Sequence, residues 1–399
     1  MGNLVYAASQ WGILVLLARL GTPEAVGQFS LGLAITAPIM LLAGLQLRAV
    51  QATDARRLFD FADYGGIRVL TTMAALFIIF GISAIAYRGE LALTIAAFAL
   101  SKGIESFSDV VYGLWQQQER MDLIAQSLML RGVLSLTATA ICFVSSHSVW
   151  IAVCGMATAW AAVFIAFDLR LAVMIAGDWR SVLPRFSALP MKTLVRLSLP
   201  LGIVTMMLSL NSNVPRYLIG QMRGVRELGV FAVLGYILIA GSMIVNALGQ
   251  SATPRLALYS SQGRRREFRS LSNRLMLVGF ALGASGVLAA RTFGRQIITM
   301  AYGREYAQNS RMFMWLMIAA AFSYMASFAG YSLTAARHFR VQMPLFGFIT
   351  VLTFVLCFVM VKADGATGAA KALAAAGCVQ LITTIGILRY MEADKRVRF

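Results

Sequence analysis

The sequence predicts an all-α, polytopic membrane protein with about twelve transmembrane helices in two six-helix bundles around a central cavity. Hydrophobic residues make up 59% of the chain and charged residues only 13%, whereas a soluble domain carries roughly 25% charged residues. The apolar runs are also long enough to cross a bilayer, which takes about 20 residues each. These two observations predict a multi-pass helical membrane protein.

Apolar runs between polar breaks define the predicted spans. Their limits are 3–19, 27–47, 67–87, 91–114, 123–146, 148–169, 194–215, 228–250, 271–291, 312–335, 342–361 and 366–388. The longest polar connection, residues 170–193, separates six spans from six. We therefore expect an N-terminal bundle over residues 1–188 and a C-terminal bundle over residues 189–399.

An internal repeat supports this division. The segment 24–40 resembles the segment 226–244, with Val-Gly-x-Phe at 26–29 corresponding to Leu-Gly-x-Phe at 228–231. Both copies begin the second span of their half. Because six is an even number, both halves enter the membrane from the same side, so the repeats are parallel and related by an axis along the membrane normal.

The distribution of basic residues predicts the orientation. The net charge of +18 could suggest nucleic acid, but most lysines and arginines lie in short connections and no basic face interleaved with aromatic residues occurs. Connections after even-numbered spans, with the C-terminus, carry more than twice as many of them as the others. The positive-inside bias therefore places both termini in the cytoplasm. The basic loop 263–270 is also cytoplasmic, where it fixes topology or contacts anionic membrane lipids.

The cysteines and histidines do not have the spacing of a metal site. The four cysteines, Cys142, Cys154, Cys357 and Cys378, lie in apolar runs without CxxC spacing, which favours small core-filling residues. The only histidines, His147 and His338, are far apart in the sequence. We expect no metal site and no cofactor.

Three segments together resemble a known transporter family. The segments at 21–29 ("GTPEAVGQF"), 220–232 ("GQMRGVRELGVFA") and 293–310 ("FGRQIITMAYGREYAQNS") are similar to the polysaccharide-transporter branch of the multidrug/oligosaccharidyl-lipid/polysaccharide exporter superfamily, and within it to O-antigen flippases of the Wzx type. The resemblance covers essentially the whole chain.

This resemblance implies a function and a location. It implies transfer of an undecaprenyl-diphosphate-linked oligosaccharide across the bacterial inner membrane by alternating access. It also implies polysaccharide polymerase and glycosyltransferases of the same pathway as partners, and no catalysis by the chain itself. The chain departs from the family in two ways: it begins almost inside its first span, which predicts a truncated or misassigned start, and Pro215 replaces an acid that many relatives carry before the basic residue.

The most informative local feature is a polar stripe in span four. Lys102, Glu105, Asp109, Tyr112 and Gln116 recur at helical spacing, so they share one face of the helix. A charge at mid-bilayer costs about 2.5–3.5 kcal/mol even on the lenient insertion scale. The stripe should therefore face the bundle interior or a wet cavity.

Helix arithmetic predicts the depth of two cations. Lys102 lies roughly 16 Å below the outer boundary, and Arg131 of span five roughly 12 Å above the inner one, so both lie near the middle. One interpretation is that they attract the diphosphate of the lipid carrier, with Glu105 holding Lys102 while the site is empty. The other is that Lys102 and Glu105 form an ion pair that only fixes helix packing. Glu105 and Asp109 are the candidates for coupling or gating, and for Asp109 the alternative is a solvated helix end.

Span seven contributes the remaining candidates for substrate binding. Arg216 lies near its outer end beside Asn211, Asn213 and Pro215, which suggests a locally broken helix lining a cavity. The charges of Arg48, Asp168 and Arg170 fall at predicted cytoplasmic helix ends, where snorkelling explains them.

Two other functions remain open alternatives. A multidrug exporter of cations would favour a negatively charged cavity, whereas the residues nearest mid-depth here are positive. A membrane-embedded polymerase or ligase usually needs a sizeable external loop, and the largest external connection, residues 292–311, carries no acid pair. Transport of an anionic lipid-linked sugar is the preferred interpretation.

Overall fold

The computed structural model describes residues 1–54, 58–336 and 339–393, and within these ranges the secondary structure is helical without strands. In the described part of the chain, eleven helices are long and apolar enough to cross a membrane. The last of them, α13 (Phe339–Ala393), is interrupted at Asp364 and Gly365, where the backbone leaves helical geometry. Its two arms coincide with the eleventh and twelfth predicted spans, so the predicted multi-pass helical architecture is confirmed.

The chain divides into two compact units, Met1–Asn213 and Val214–Phe399. The boundary that the sequence suggested, between residues 188 and 189, lies at the start of α9 (Ala188–Met222). The division of the chain into bundles at that residue stays a prediction.

The N-terminal unit contains six spans before α9. Its helices are α1 (Gly2–Leu20), α2 (Pro23–Gly44), α3 (Leu47–Thr53), α4 (Phe61–Ala86), α5 (Gly89–Gln117), α6 (Met121–Ser146), α7 (Val149–Val163) and α8 (Arg170–Ala176). A π-helical segment, Phe164–Leu169, joins α7 to α8. A short 3₁₀ turn, Trp179–Val182, follows α8.

Local sequence explains where two of these helices begin. Thr22 accepts a hydrogen bond from the Ala25 backbone N–H, and Pro23 occupies the first helical turn of α2, where a missing N–H costs nothing. A capping box formed by Asp60 and Asp63 starts α4. These caps satisfy backbone groups that would otherwise lack partners at the helix ends.

The C-terminal unit continues with α10 (Val225–Ser261), α11 (Arg265–Tyr302), α12 (Ser310–Ala335) and α13. Because α11 extends to Tyr302, the connection between α11 and α12 is shorter than the predicted residues 292–311. The repeat signal is reflected in packing: Val26 and Phe29 are buried at the start of α2, as Leu228 and Phe231 are near the start of α10. Both copies thus begin the second span of their half, as the sequence predicts.

Candidate functional site

The polar stripe of α5 lines a cavity of about 550 Å³ in the N-terminal unit. Three cationic and two acidic side chains contribute to its wall, together with Gln46, Ser106, Gln116 and apolar residues of α2. The charged residues are Arg48, Arg68, Lys102, Glu105 and Asp109. The prediction that the stripe faces a cavity is therefore confirmed for Lys102, Glu105, Asp109 and Gln116.

Lys102 and Glu105 form an ion pair one turn apart on α5. Lys102 Nζ lies 2.6 Å from Glu105 Oε2, and the Tyr6 hydroxyl donates to Glu105 Oε1 over 3.3 Å. The two charged side chains are 21% and 30% exposed, so both reach the cavity. The expected pairing is present, with a cation that an incoming anion can approach.

Trp160 of α7 connects the two cations that the sequence placed at mid-depth. Lys102 Nζ lies 5.3 Å from the centroid of its ring, and Arg131 Cζ lies 5.0 Å from the same centroid. Trp160 and Arg131 are both buried. A desolvated cation over an aromatic face gains about 2 kcal/mol, so this ring stabilises positive charge inside the unit.

Arg131 differs from Lys102 in its access to the cavity. Its side chain is 1% exposed and does not belong to the cavity lining. Within the described part of the chain, its Nε and Nη2 atoms have no hydrogen-bond partner. The structure thus brings Arg131 beside the site as a source of positive potential in the wall, rather than as a group that lines the cavity.

A second charge cluster lies towards the other end of the stripe. Arg68 Nη2 of α4 donates to Asp109 Oδ2 over 2.9 Å, and Arg48 Nη1 of α3 lies 3.9 Å from Asp109 Oδ1. Arg48 Nε also donates to Gln116 Oε1 over 3.0 Å. Asp109 is therefore an ion-paired residue of the cavity wall rather than a simple solvated helix end, and Arg48 is held there rather than snorkelling.

Backbone geometry directs Arg48 towards α5. Leu45 and Gln46 both have positive φ angles, 50° and 51°, which is uncommon for residues with a Cβ atom. This turn separates α2 from α3, and α3 then packs against α5 at Gly113, where an added Cβ would lie 2.2 Å from Gln51 Oε1. The absence of a side chain at Gly113 allows the close approach that brings Arg48 to Asp109 and Gln116.

Asp168 belongs to a buried network instead of a helix end. It is fully buried in the π-helical segment and accepts from Ser127 Oγ over 2.6 Å. Ser127 in turn lies 2.6 Å from the Tyr112 hydroxyl. The sequence-based explanation by snorkelling is wrong, because the extra residue of a π turn changes the direction of side chains along the helix.

The candidates in span seven lie in a continuous helix. Asn211, Asn213 and Arg216 belong to α9, which is helical from Ala188 to Met222, so the expected local break is wrong. Pro215 removes only one backbone donor. Asn213 is buried and its Nδ2 donates to the Ser209 carbonyl over 2.9 Å, whereas Asn211 and Arg216 are half-buried. A substrate role for these three residues stays a prediction.

Among the residues that the structure describes, no group of three or more His, Cys, Asp or Glu side chains has the arrangement of a metal site. Three cysteines are half-buried and Cys357 is buried. His338 lies outside the described residues.

Sequence reasoning missed Trp160 and Arg68. Trp160 lies in an apolar run with no charged residue near it in the sequence. Arg68 lies one residue inside the predicted third span, where an arginine is typical of a snorkelling helix end. Their roles depend on contacts between helices, which periodicity along one helix does not encode.

Comparison with known proteins relates this chain to polysaccharide biosynthesis proteins. Residues 1–260 match the family described as "Polysaccharide biosynthesis protein". The chain is 25% identical over 387 residues to the capsular polysaccharide biosynthesis protein CapF of Staphylococcus aureus, covering 96% of each sequence.

Solved structures share the fold. An inward-facing multidrug resistance MATE family transporter of the MOP superfamily has a TM-score of 0.78 at 14% identity, over 97% of this chain and 94% of that one. The lipid II flippase MurJ, in an inward closed conformation, has a TM-score of 0.74 at 11% identity, over 97% and 86% of the two chains. At these identities the likeness establishes the fold.

Proposed function

The chain belongs to the polysaccharide biosynthesis protein family, and from that premise we propose that it translocates an undecaprenyl-diphosphate-linked oligosaccharide across the bacterial inner membrane. The transfer would proceed by alternating access and supply O-antigen, capsule or exopolysaccharide synthesis. Glycosyltransferases and a polymerase of the same pathway would act before and after it. The observation that carries this proposal is the net positive charge of the cavity lining. Three basic residues, Arg48, Arg68 and Lys102, outnumber the two acidic residues, Glu105 and Asp109.

The carboxylates provide a way to keep these cations charged before the substrate arrives. An unpaired charge in a low-dielectric wall is costly, and Glu105 and Asp109 each hold one or two basic groups. A diphosphate entering the cavity offers the same cations more negative charge in a compact group. Lys102 would exchange Glu105 for a phosphate oxygen, and the buried charge of Arg131 would add to the attraction.

The same arrangement argues against the two alternatives. An exporter of cationic drugs would need net negative charge where this cavity has net positive charge. A polymerase or ligase would need an acceptor site on an external loop, and the connection between α11 and α12 is limited to residues 303–309. Translocation therefore fits the observed site better than drug export or sugar transfer.

Export by cells producing single variants tests the proposal. We expect Lys102→Ala to reduce export of the lipid-linked sugar at least about tenfold while the protein remains in the membrane, because an interaction with a charged group contributes about 1.5–3 kcal/mol. Arg131→Ala should also reduce export, by a smaller factor, because Arg131 acts on the diphosphate through its positive potential and does not contact it. Lys102→Arg should retain most export. Arg120→Ala is the matched control, since Arg120 is exposed and pairs with the exposed Asp122. Normal export by Lys102→Ala at normal abundance would contradict the proposed diphosphate site.

A further inference from the structure

Arg68 lies between two cavities of different character. It lines the polar cavity described above and also a second cavity of about 330 Å³ in the same unit. Apart from Arg68, the second cavity is lined almost entirely by apolar and aromatic residues of α4, α5, the π-helical segment and α8. They include Phe61, Val69, Phe107, Val110, Phe164 and Val173. The polar cavity and the apolar second cavity therefore share one lining residue, Arg68.

A defined piece of chain forms one wall of the second cavity. Trp179, Val182, Leu183 and Pro184 form one of its walls. This segment is fixed to the start of α4, because the Arg185 backbone N–H donates to the Ala62 carbonyl over 2.8 Å. The Arg185 side chain also lies 2.9 Å from Asp60 Oδ2.

Close packing at Gly66 holds the same segment in place. An added Cβ at Gly66 would lie 2.0 Å from the Arg185 carbonyl oxygen, so only glycine permits this approach. The cavity is thus a structured feature of the unit, and its volume falls within the roughly 300–1,000 Å³ that is typical of ligand pockets.

The environment of Arg68 suits a particular kind of ligand. Its side chain is 2% exposed and one nitrogen donates to Asp109. Its Nε has no hydrogen-bond partner among the described residues. A buried guanidinium with an apolar compartment on one side and a cation-lined compartment on the other matches an amphiphile in which hydrocarbon begins directly at a phosphate.

We propose that the second cavity binds the first isoprene units of the lipid carrier, while the diphosphate occupies the polar cavity. This inference rests on the proposed function. It assigns a binding site to the prenyl chain of the substrate, which the charged residues do not bind. Arg68 would lie at the junction, close to the phosphate that bears the chain. Recognition would then require both the anionic group and the attached prenyl chain, and a free diphosphate would bind weakly.

The test measures binding of prenyl diphosphates of increasing length to the purified full-length protein in detergent. Geranyl, farnesyl and geranylgeranyl diphosphate are the probes. We expect affinity to rise with chain length. Val173→Trp should fill the cavity and reduce the affinity for the longest probe by about tenfold or more, because burial of only two CH₂ groups already changes an affinity by roughly tenfold. Geranyl diphosphate should be affected least.

Met174→Trp is the matched control, because Met174 is the next residue of α8, is exposed and does not line the cavity. It should retain the dependence of affinity on chain length. Because the probes partition equally into micelles in both samples, comparison with this control also corrects for that partition. Gly65→Leu fills the cavity from α4, where an added Cβ makes ordinary contact with Pro184. It gives an independent variant if Val173→Trp does not fold.

The outcomes separate the two proposals. If both filling variants keep the wild-type dependence on chain length while Lys102→Ala weakens all three probes, the hydrocarbon site is wrong and the diphosphate site stands. If Lys102→Ala changes no affinity while the filling variants remove the chain-length dependence, the diphosphate site fails and the hydrocarbon site stands. Competition by phosphatidylglycerol at equal strength to geranylgeranyl diphosphate would identify membrane acyl chains as the occupant and overturn the inference.

Discussion

Glu105 is the residue whose contacts distinguish a switch from a packing device. It accepts from both Lys102 and Tyr6, which approach its two oxygens from α5 and α1. Removing one partner of a buried pair costs about 3–5 kcal/mol, whereas replacing both can be nearly neutral. This pair is partly exposed to the cavity, so its loss should cost less than a fully buried pair.

The double variant Lys102→Met/Glu105→Gln tests the switching role. Glu105→Gln alone should lower protein abundance, because Lys102 then lacks a negative partner. The double variant should recover abundance but remain defective in export, because the cation that we propose attracts the diphosphate is absent. Abundance by immunoblot and export of the lipid-linked sugar are the two measurements. Export at the wild-type rate from the double variant would show that the pair only fixes helix packing.

Trp160 provides a second prediction at this scale. Its ring lies beside Lys102 and Arg131, so an aromatic replacement should retain part of the stabilisation that an aliphatic one loses. We expect the thermal unfolding midpoint in detergent to fall more for Trp160→Leu than for Trp160→Phe. Phe also removes less volume from the core than Leu does, so the comparison is repeated in a Lys102→Met background. The difference between the two midpoints should shrink there, and an unchanged difference would indicate that volume alone matters and that Lys102 gains nothing from the ring.

At the scale of elements, the sequence predicts the face of a helix better than its partners. Helical spacing places Lys102, Glu105 and Asp109 on one stripe, and the structure places that stripe on a cavity. The partners of the stripe come from residues distant in sequence, such as Arg68 and Trp160, and no local pattern encodes these contacts. Asp168 illustrates the same limit, because a π turn in an apolar run has no marker in the sequence.

The connection predicted between the last two spans is a kink within α13 and not a loop. Residues 362–365 separate the last two predicted spans, and the structure has a kink at Asp364 and Gly365. Gly365 has a φ of 56°, and the Ala366 backbone N–H donates to Glu227 Oε2 over 3.0 Å. Lys371 forms an ion pair with Asp364 across the kink. A glycine and a capping carboxylate thus end one span and begin the next.

Substitution of Gly365 tests this account of the kink. Gly365→Ala places a Cβ at positive φ and 2.5 Å from Glu227 Oε2, so we expect a loss of about 1–3 kcal/mol of stability. Gly386→Ala, in the second arm of the same helix, meets nothing within 4 Å and should be neutral or stabilising by about 1 kcal/mol. The measurement is the thermal unfolding midpoint, and an unchanged midpoint for Gly365→Ala would contradict the strain argument.

For the whole molecule, the number and order of spans follow from hydropathy, because a bilayer imposes length and apolarity on each helix. The break expected at Asn211 to Arg216 is wrong because a proline and two asparagines do not by themselves end a helix that a membrane stabilises. The orientation in the membrane is predicted from the lysines and arginines in the connections, and it is tested separately.

The basic loops predict that position 264 is cytoplasmic and position 304 is external. Single cysteines introduced as Arg264→Cys and Arg304→Cys, in a chain lacking the four native cysteines, report the side by their reaction with an impermeant maleimide. Arg304→Cys should react in intact cells, and Arg264→Cys only after permeabilisation. The reverse pattern would invert the topology and place the polar cavity at the wrong end for loading from the cytoplasm.

Translocation of a lipid-linked oligosaccharide by purified protein in liposomes tests the central claim most directly. The assay measures how fast a sugar moiety facing one side becomes accessible to a sugar-binding probe on the other. We expect wild-type protein and Arg120→Ala to accelerate transfer equally, and Lys102→Ala to reduce the rate at least about tenfold, since it removes a charge-assisted contact to the diphosphate. Transfer at the wild-type rate by Lys102→Ala, or no acceleration by correctly folded wild-type protein, would contradict the claim that this cavity carries the lipid diphosphate across the membrane.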